Sequence, residues 1–245
     1  EDDILNKLIY LQNAGNSVQI HNYFPVPKDS FVINLASSNS RILQQSIDHS
    51  KNAIDIASHL KTKRYSIHSG FCIDPNPKSL GSKFDRQYIN RSASQSIFIS
   101  SLRELMTYAK SKKVDLYIEN NNLIKENMPR HTVSPLLGVT VDEMLEYKEE
   151  TGVKILIDTG HLMVSSNTLN LNLLKQLELA RVNCDAYHIS TNNTLRDSNL
   201  PVSIDDIFMP ILNPFCDFFT LEIYDKPSVI RESFNTLRLA LEMLI

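Results

Sequence analysis

Two patterns of apolar positions alternate along this chain. Short apolar runs at residues 18–21, 65–68, 116–119, 155–158, 186–188 and 219–222 are too brief for helices and are typical of buried strands. Between them, longer stretches carry apolar residues at a spacing of three or four, which predicts amphipathic helices. A repeated order of strand and helix predicts right-handed βαβ units and a parallel sheet.

The pattern predicts strands over residues 17–21, 64–68, 114–119, 185–188 and 217–222, with a further strand ending at Asp158. It predicts helices over residues 3–13, 40–60, 86–112, 141–149, 169–181, 204–211 and 228–245. Residues 70–83, rich in Pro, Gly, Asp and Ser, are predicted to form a long loop. Loops of this length in compact domains are often functional.

Each predicted strand ends at a histidine or an acid. These residues are His21, His68, Glu119, Asp158, His188 and Glu222. An open doubly wound sheet gathers its ligands from a few strands at one switch point. Polar residues at the ends of all these strands favour a closed ring instead, so the predicted fold is an α/β TIM (β/α)8 barrel with its active site at the C-terminal rim.

The number of strands falls short of a complete barrel. Six strand–helix units are predicted and the chain opens on a helix, whereas a complete barrel has eight strands. We expect one domain over residues 1–245 that is N-terminally incomplete, with the first one or two strands missing from this chain. The alternative is an open barrel with exposed strand edges.

The strand-end residues form a candidate metal site. Carboxylates and imidazoles that converge from separate strands suit a divalent ion, and the predicted ligands are Glu119, Asp158, His188 and Glu222. Hard oxygen donors predominate in this set, which favours one manganese, magnesium or cobalt ion, with zinc as an alternative. Asp158 has a second interpretation as a helix cap, because Thr159 and Gly160 follow it.

The composition and charge of the chain limit the classes of partner and the cellular location that we expect for it. The chain has 245 residues, a formal net charge of −3 and 42% hydrophobic residues, as expected for a globular protein. Lys and Arg are scattered, which argues against a nucleic-acid partner. Three widely spaced cysteines predict no disulfide framework, and with no apolar stretch long enough for a membrane span we expect a cytoplasmic protein. The oligomeric state, including a homo-oligomer, is left open.

Five short pieces, in this order, resemble the xylose isomerase-like barrels. That family includes sugar epimerases, sugar isomerases and the endonuclease IV group. The pieces are His68-Ser69-Gly70, Ile118-Glu119-Asn120, residues 157–161, Tyr187-His188-Ile189 and Leu221-Glu222. The resemblance implies a metal bound by Glu119, Asp158, His188 and Glu222, with His68 and His161 near the substrate.

The resemblance implies a metal-dependent isomerase or epimerase of carbohydrate metabolism that acts on a small sugar or sugar phosphate. In that chemistry a metal holds two neighbouring oxygens of an open-chain sugar and stabilises an enediolate. Glu119 and Glu222 are the candidate base and acid. His161 and His68 would orient substrate oxygens.

Two further residues are assigned to the substrate. His21 either contacts the substrate, binds the metal directly, or only hydrogen-bonds the loop at Tyr23. Arg196 could hold a phosphate or carboxylate, and the alternative is an ion pair with Asp197 or Asp205.

One region resembles the endonuclease IV group, which uses extra histidines in a three-metal cluster to cut phosphodiesters. The matching residues are His21-Asn22-Tyr23 and residues 33–37. Asp197-Ser198-Asn199 stands where that group has Asp-x-His, which argues against a third metal. A metal-dependent phosphodiesterase is therefore the second hypothesis, and a noncatalytic relative that binds a sugar or a metal is the third.

Overall fold

A computed structural model describes residues 2–80, 83–85, 87–128 and 133–245 of the chain. Its strands are β1 (Ile20–His21), β2 (Arg64–His68), β3 (Asp115–Glu119), β4 (Lys154–Asp158), β5 (Ala186–Ile189) and β6 (Phe218–Leu221). Its helices are α1 (Asp2–Asn13), α2 (Ser40–His59), α3 (Arg91–Ser111), α4 (Val141–Thr151), α5 (Thr159–Leu169), α6 (Leu173–Asn183) and α7 (Pro227–Glu242). Arg86, where one helix is predicted to begin, lies outside the described residues.

The strands form one parallel sheet in the order β1 to β6, as the alternation of strands and helices predicts. The sheet is curled: β2 and β3 contact β6 or the residue directly before it, although neither strand is next to β6 in the strand order. The Tyr117 hydroxyl donates to Asp217 Oδ2 at 2.6 Å, and the Arg64 guanidinium lies 4.9 Å from the centre of the Phe218 ring. The described part of the chain thus builds a curled partial barrel with β1 and β6 as its edges.

Alternate strand residues face opposite sides of the curled sheet. Tyr117, Leu156 and Ala186 are buried together and pack with Phe218 inside the curl. The residues between them, such as Ile118, belong to the larger core that the sheet shares with the helices. Glu119, Asp158 and His188 each lie two residues beyond an inward-facing side chain, so this alternation turns them inward. The strand pattern therefore gathers the polar strand ends at one rim of the interior.

Helix α5 is absent from the elements that the sequence predicts. Residues 159–166, eight of its eleven residues, are buried, so the helix has no polar face and produces no amphipathic period. Asp158 begins it as the N-cap, because Asp158 Oδ1 accepts a hydrogen bond from the backbone N–H of His161 at 2.7 Å. The capping interpretation of Asp158 is therefore confirmed.

The predicted helix over residues 204–211 is wrong. Only Met209–Ile211 form a short 3₁₀ helix. Pro210 has no backbone N–H to continue a helix, and Asp206 Oδ2 accepts from the N–H of Ser203 at 2.7 Å, which favours a local turn. The first strand is also shorter than predicted, because its pairing with β2 begins only at Ile20, which lies opposite Tyr65.

Candidate metal centre

Four side chains from four strand ends meet inside the rim. Ligand atoms of His21, Glu119, His188 and Glu222 all lie within 4.8 Å of one another. His21 ends β1, Glu119 ends β3, His188 lies in β5 and Glu222 directly follows β6. Two imidazoles and two carboxylates at these separations can hold a divalent ion.

Glu119 lies at the middle of this group. Its side chain is fully buried; His188 Nδ1 lies 3.3 Å from Oε1, and neither carboxylate oxygen forms a well-aligned hydrogen bond with a described residue. Burial alone would raise the pKa of Glu119, but the neighbouring imidazoles of His68 and His188 hold it well below its ordinary value. A buried, ionised carboxylate needs positive charge beside it, which protonated imidazoles supply here and a bound divalent cation would supply in their place, so Glu119 fits a metal site.

The ring of His21 is held in position by β2. Its Nδ1 lies 2.9 Å from Ser66 Oγ, which leaves Nε2 facing Glu119 Oε2 at 3.4 Å. Burial lowers the pKa of His21 to about 4, against the opposing charge of Glu119. His21 is thus neutral at physiological pH, the form in which an imidazole binds a metal.

His188 carries a proton in the metal-free protein. Its Nδ1 lies 2.9 Å from Glu222 Oε1 and 3.3 Å from Glu119 Oε1. Burial opposes protonation, but the two carboxylates outweigh it and raise the pKa of His188 to about 10. A metal ion bound at Nδ1 would replace this proton.

A second group of possible ligands shares Glu119 with the first. It consists of His68, Glu119 and His161, whose ligand atoms again lie within 4.8 Å of one another. The ring nitrogens of His161 lie 2.9 Å from the Asn120 carbonyl oxygen and 3.1 Å from Asp197 Oδ2. Both partners are acceptors, so His161 donates at both nitrogens. Although burial opposes this, Asp158 and the hydrogen bond to Asp197 raise its pKa well above the ordinary value.

Asp158, a predicted ligand, belongs to neither of these groups. Its Oδ1 caps α5, while its Oδ2 is buried with no hydrogen-bond partner among the described residues. Burial is the main cause that raises the pKa of Asp158, to about 7. Oδ1 therefore caps α5, and Oδ2 faces no hydrogen-bond donor among the described residues. The assignment of Asp158 as a metal ligand stays a prediction.

Arg196 lies away from these groups. Its side chain is half exposed and donates to Glu126 Oε1, which joins the loop after β5 to the loop after β3. The alternative pairing with Asp197 or Asp205 is not formed, since Asp197 accepts from His161 instead. A role for Arg196 in holding a phosphate stays a prediction.

Three supporting residues are missed by reasoning from strand ends alone. They are Ser66, Asn120 and Asp197, which hold His21, Asp158 and His161 respectively. Ser66 could have been found, because it lies two residues before His68 and thus faces the same side of β2. Asn120 and Asp197 lie in loops, where no period relates them to the centre.

The sequence pattern of the family described as xylose isomerase-like TIM barrel matches residues 9–239 of this chain. The chain belongs to this family. This membership confirms the resemblance found in the sequence and the barrel type of the fold. No curated protein matches the sequence of this xylose isomerase-like chain.

Solved structures with the xylose isomerase-like fold resemble the chain over its whole length. A D-tagatose 3-epimerase-like protein has a TM-score of 0.74 and 18% identity, and the match covers 100% of this chain and 84% of that protein. D-psicose 3-epimerase from Clostridium cellulolyticum, with D-tagatose, has a TM-score of 0.65 and 14% identity, with coverage of 100% and 84%. A Thermus thermophilus protein that was soaked with ZnCl2 has a TM-score of 0.67 and 15% identity, with coverage of 99% and 84%. These identities are low, so the likeness concerns the fold.

Within the described residues, none of the helices combines the length and the apolar character that crossing a membrane requires.

Proposed function

We propose that this chain is a divalent-metal-dependent isomerase or epimerase of small sugars. The observation that carries the proposal is the convergence of His21, His188 and Glu222 from separate strand ends on the fully buried carboxylate of Glu119. The epimerases among the structural neighbours support sugars as the substrate class.

The proposed metal ligands are His21, Glu119, His188 and Glu222, with Asp158 Oδ2 at the end of β4 as a further candidate oxygen. A bound divalent ion supplies positive charge that stabilises negative charge developing on substrate oxygens. Two imidazoles with carboxylates form a mixed donor set that manganese, cobalt, magnesium or zinc can use.

Proton transfer is assigned to Glu222 and Glu119. The side chain of Glu222 is 23% exposed whereas that of Glu119 is fully buried, so Glu222 is the carboxylate that a substrate carbon can approach from the rim. Burial would raise the pKa of Glu222, but His188 lowers it below the ordinary value, which keeps Glu222 ionised and able to accept a proton. Glu119 is the candidate for the second proton transfer that an epimerisation needs, a role that requires the substrate to reach its buried carboxylate.

His68 and His161 are assigned to the substrate. His68 Nε2 lies 3.9 Å from Glu119 Oε2, and burial lowers the pKa of His68, so its neutral ring can donate to or accept from a hydroxyl group. His161 is held by Asn120 and Asp197 at both ring nitrogens, so it contributes positive charge beside the centre.

The first experiment measures the metal content of the purified protein and of Glu222→Gln, with Glu242→Gln as control. Glu242 is an exposed acid of α7, so its replacement alters the charge equally but leaves the centre intact. We expect about one divalent ion per chain in the wild type and control, and a clear loss in Glu222→Gln. The second experiment follows deuterium incorporation from D₂O into 2-ketohexoses. Absence of bound metal under saturating manganese would refute the proposal.

Phosphodiester cleavage is the second candidate function. The observation that favours it is the second ligand group, His68, Glu119 and His161, which shares Glu119 with the first group. To bind a second ion, His161 would have to give up one of its two hydrogen bonds and a proton. Two zinc ions per chain together with hydrolysis of a phosphodiester would replace the isomerase proposal. Tight sugar binding without deuterium exchange would instead indicate a noncatalytic sugar-binding relative.

A further inference from the structure

A cavity of about 200 Å³ opens beside the candidate metal centre. We call it the side pocket. Its floor includes His68, His161, Asn121 and Asn122, and its apolar wall consists of Ile33, Phe71, Leu80, Phe84 and Leu136. Asn22, Tyr23 and Ile67 complete the described lining. The cavity is thus polar where it meets the centre and apolar at the side formed by the loops.

The floor of the side pocket offers polar atoms that have no partner. His68 Nδ1 and Asn122 Oδ1 are buried and make no hydrogen bond with any described residue. His161, by contrast, already uses both ring nitrogens. Hydroxyl groups near the centre could therefore pair with His68 and Asn122.

The wall of the side pocket offers no such partner. Phe71, Leu136 and Ile33 are at least nine-tenths buried and have only carbon in their side chains. A hydroxyl group placed against them would lose its water without gaining a hydrogen bond, whereas a methyl group would gain from burial. The wall therefore selects an apolar group at the end of the ligand that lies away from the centre.

The wall of the side pocket also lacks a cation for a phosphate. No Lys or Arg is among the described residues that line it. Arg196, which the sequence assigns to a phosphate, is outside this lining and is paired with Glu126. His161, the charged group of the described lining, belongs to the floor, so a phosphate group against the apolar wall would be buried without a charged partner, which is strongly unfavourable.

We infer that the substrate is an unphosphorylated keto sugar with an apolar far end, a 6-deoxy-2-ketohexose, whose terminal methyl group packs against Phe71, Phe84 and Leu136. This inference rests on the proposed function, because it takes the reacting oxygens to lie at the metal centre. The methyl group accounts for the apolar wall, and the remaining hydroxyl groups account for the polar floor.

The test is calorimetric titration of the manganese-loaded full chain with matched sugars. The probes are D-fructose, D-psicose, D-tagatose and D-sorbose, each in its parent, 6-deoxy and 6-phosphate form. We expect at least one 6-deoxy sugar to bind about tenfold or more tightly than its parent, with the 6-phosphate weakest of the three. If, for every sugar that binds, the parent or the 6-phosphate binds as tightly as the 6-deoxy form or more tightly, the inference is overturned.

Two variants of the wall sharpen the test. Leu136→Asn places an amide at the wall and should reduce the preference for the 6-deoxy sugar about tenfold, whereas Leu136→Met keeps the wall apolar and should preserve it. Phe84→Tyr adds a hydroxyl to a half-buried ring and is the alternative if Leu136→Asn does not fold. Circular dichroism and manganese content establish that each variant is intact. An unchanged preference in both polar variants counts against the inference.

The result that would refute the inference about the substrate differs from the result that would refute the proposed function. If parent or phosphorylated sugars bind best and exchange deuterium, the substrate class is wrong and the isomerase proposal stands. If the manganese-loaded chain binds none of the sugars and exchanges no deuterium, the proposed function falls and the inference falls with it.

Discussion

Asn120 holds both backbone polar groups of Asp158. Asn120 Oδ1 accepts from the Asp158 N–H at 2.7 Å, and Asn120 Nδ2 donates to the Asp158 carbonyl oxygen at 3.2 Å. Both residues are fully buried. This side-chain pairing extends the contact between β3 and β4 beyond their last backbone bonds, at the point where Asp158 starts α5.

Replacement of Asn120 by Ala should therefore destabilise the protein strongly. Two buried backbone groups would lose their partners, which we expect to lower the free energy of unfolding by about 2–4 kcal/mol. Urea denaturation followed by circular dichroism measures this change. The control is Asn167→Ala, since Asn167 is exposed and also donates to a backbone carbonyl, that of Thr194. Equal effects of the two substitutions would contradict the role given to Asn120.

Two glycines with left-handed backbone conformations provide a matched comparison. Gly138 has φ +62°, and a Cβ there would lie 2.6 Å from Ser69 Cβ and 2.8 Å from Met144 Sδ. Gly152 has φ +73° and open space around the same position. We expect Gly152→Ala to cost about 1 kcal/mol from backbone strain and Gly138→Ala to cost about 3 kcal/mol or more from strain plus overpacking.

The Gly138 substitution should also reach the metal centre. Ser69 Oγ donates to the backbone carbonyl of Glu119 at 2.8 Å, so displacement of Ser69 disturbs the residue that carries the shared carboxylate. We expect Gly138→Ala to weaken manganese binding at low temperature, under conditions where both variants are folded, and Gly152→Ala to leave it unchanged. Equal manganese affinity in the two variants would show that Ser69 does not position Glu119.

Metal binding should depend on pH through His188. Its pKa of about 10 in the metal-free protein means that a bound ion must displace a proton across the neutral range. Affinity should therefore rise by about tenfold per pH unit between about pH 8 and 9, above the pKa of about 7 of Asp158, with release of about one proton per ion. His21, with a pKa of about 4, should add no dependence above about pH 5.

Titration calorimetry in buffers with different ionisation enthalpies counts the released protons. The comparison needs only the wild-type chain, because the buffers act as their own controls. A manganese affinity that stays constant across this range would mean that His188 does not coordinate through the nitrogen that carries the proton.

Lys154 connects three strands at the N-terminal end of the sheet. Its Nζ lies 2.9 Å from Asp115 Oδ2 and 2.8 Å from Asp217 Oδ2. Lys154→Met should lower the free energy of unfolding by about 1 kcal/mol at pH 7, because the ions are partly exposed. Lys51→Met, which removes one ion pair with Glu104, is the control and should cost less.

The effect of Lys154→Met should fade in acid. Burial tends to raise the pKa of Asp217, but the hydrogen bonds from Lys154 and Tyr117 lower it below its ordinary value. The stabilisation is thus complete above about pH 4 and is lost as the pH falls through the lower folded-state pKa. Denaturation series at pH 7 and pH 3 measure this difference, and a larger effect at pH 3 would contradict it.

The sequence predicted the parts of this molecule that follow a period. Short apolar runs identified the strands, and the last residues of these runs include Glu119, His188 and Glu222. Alternation along a strand fixes both where each side chain lies and which face of the sheet it points to. Helix α5 was missed because it is buried on almost every side, and the helix predicted over residues 204–211 is reduced to a short 3₁₀ helix that contains Pro210. Burial and proline override the helical period in these two places.

Which residues form the metal centre depends on distances in the folded chain, and the pattern of the sequence does not give those distances. His21 rather than Asp158 stands in the four-atom group, because Ser66 turns the His21 ring toward Glu119 while α5 takes one oxygen of Asp158. Arg196 was assigned to a phosphate from its charge, yet a loop 70 residues earlier in the chain supplies its partner, Glu126. Such long-range pairings arise only once the loops are folded.

The inward alternation of β3 has a consequence for how this chain can change. Tyr117 reaches Asp217 at one end of the interior and Glu119 reaches the imidazoles at the other, and both depend on the same phase of the strand. An insertion or deletion of one residue between them would leave one side chain in place and move the other to the helix-covered face. The length of β3 is therefore fixed from both ends.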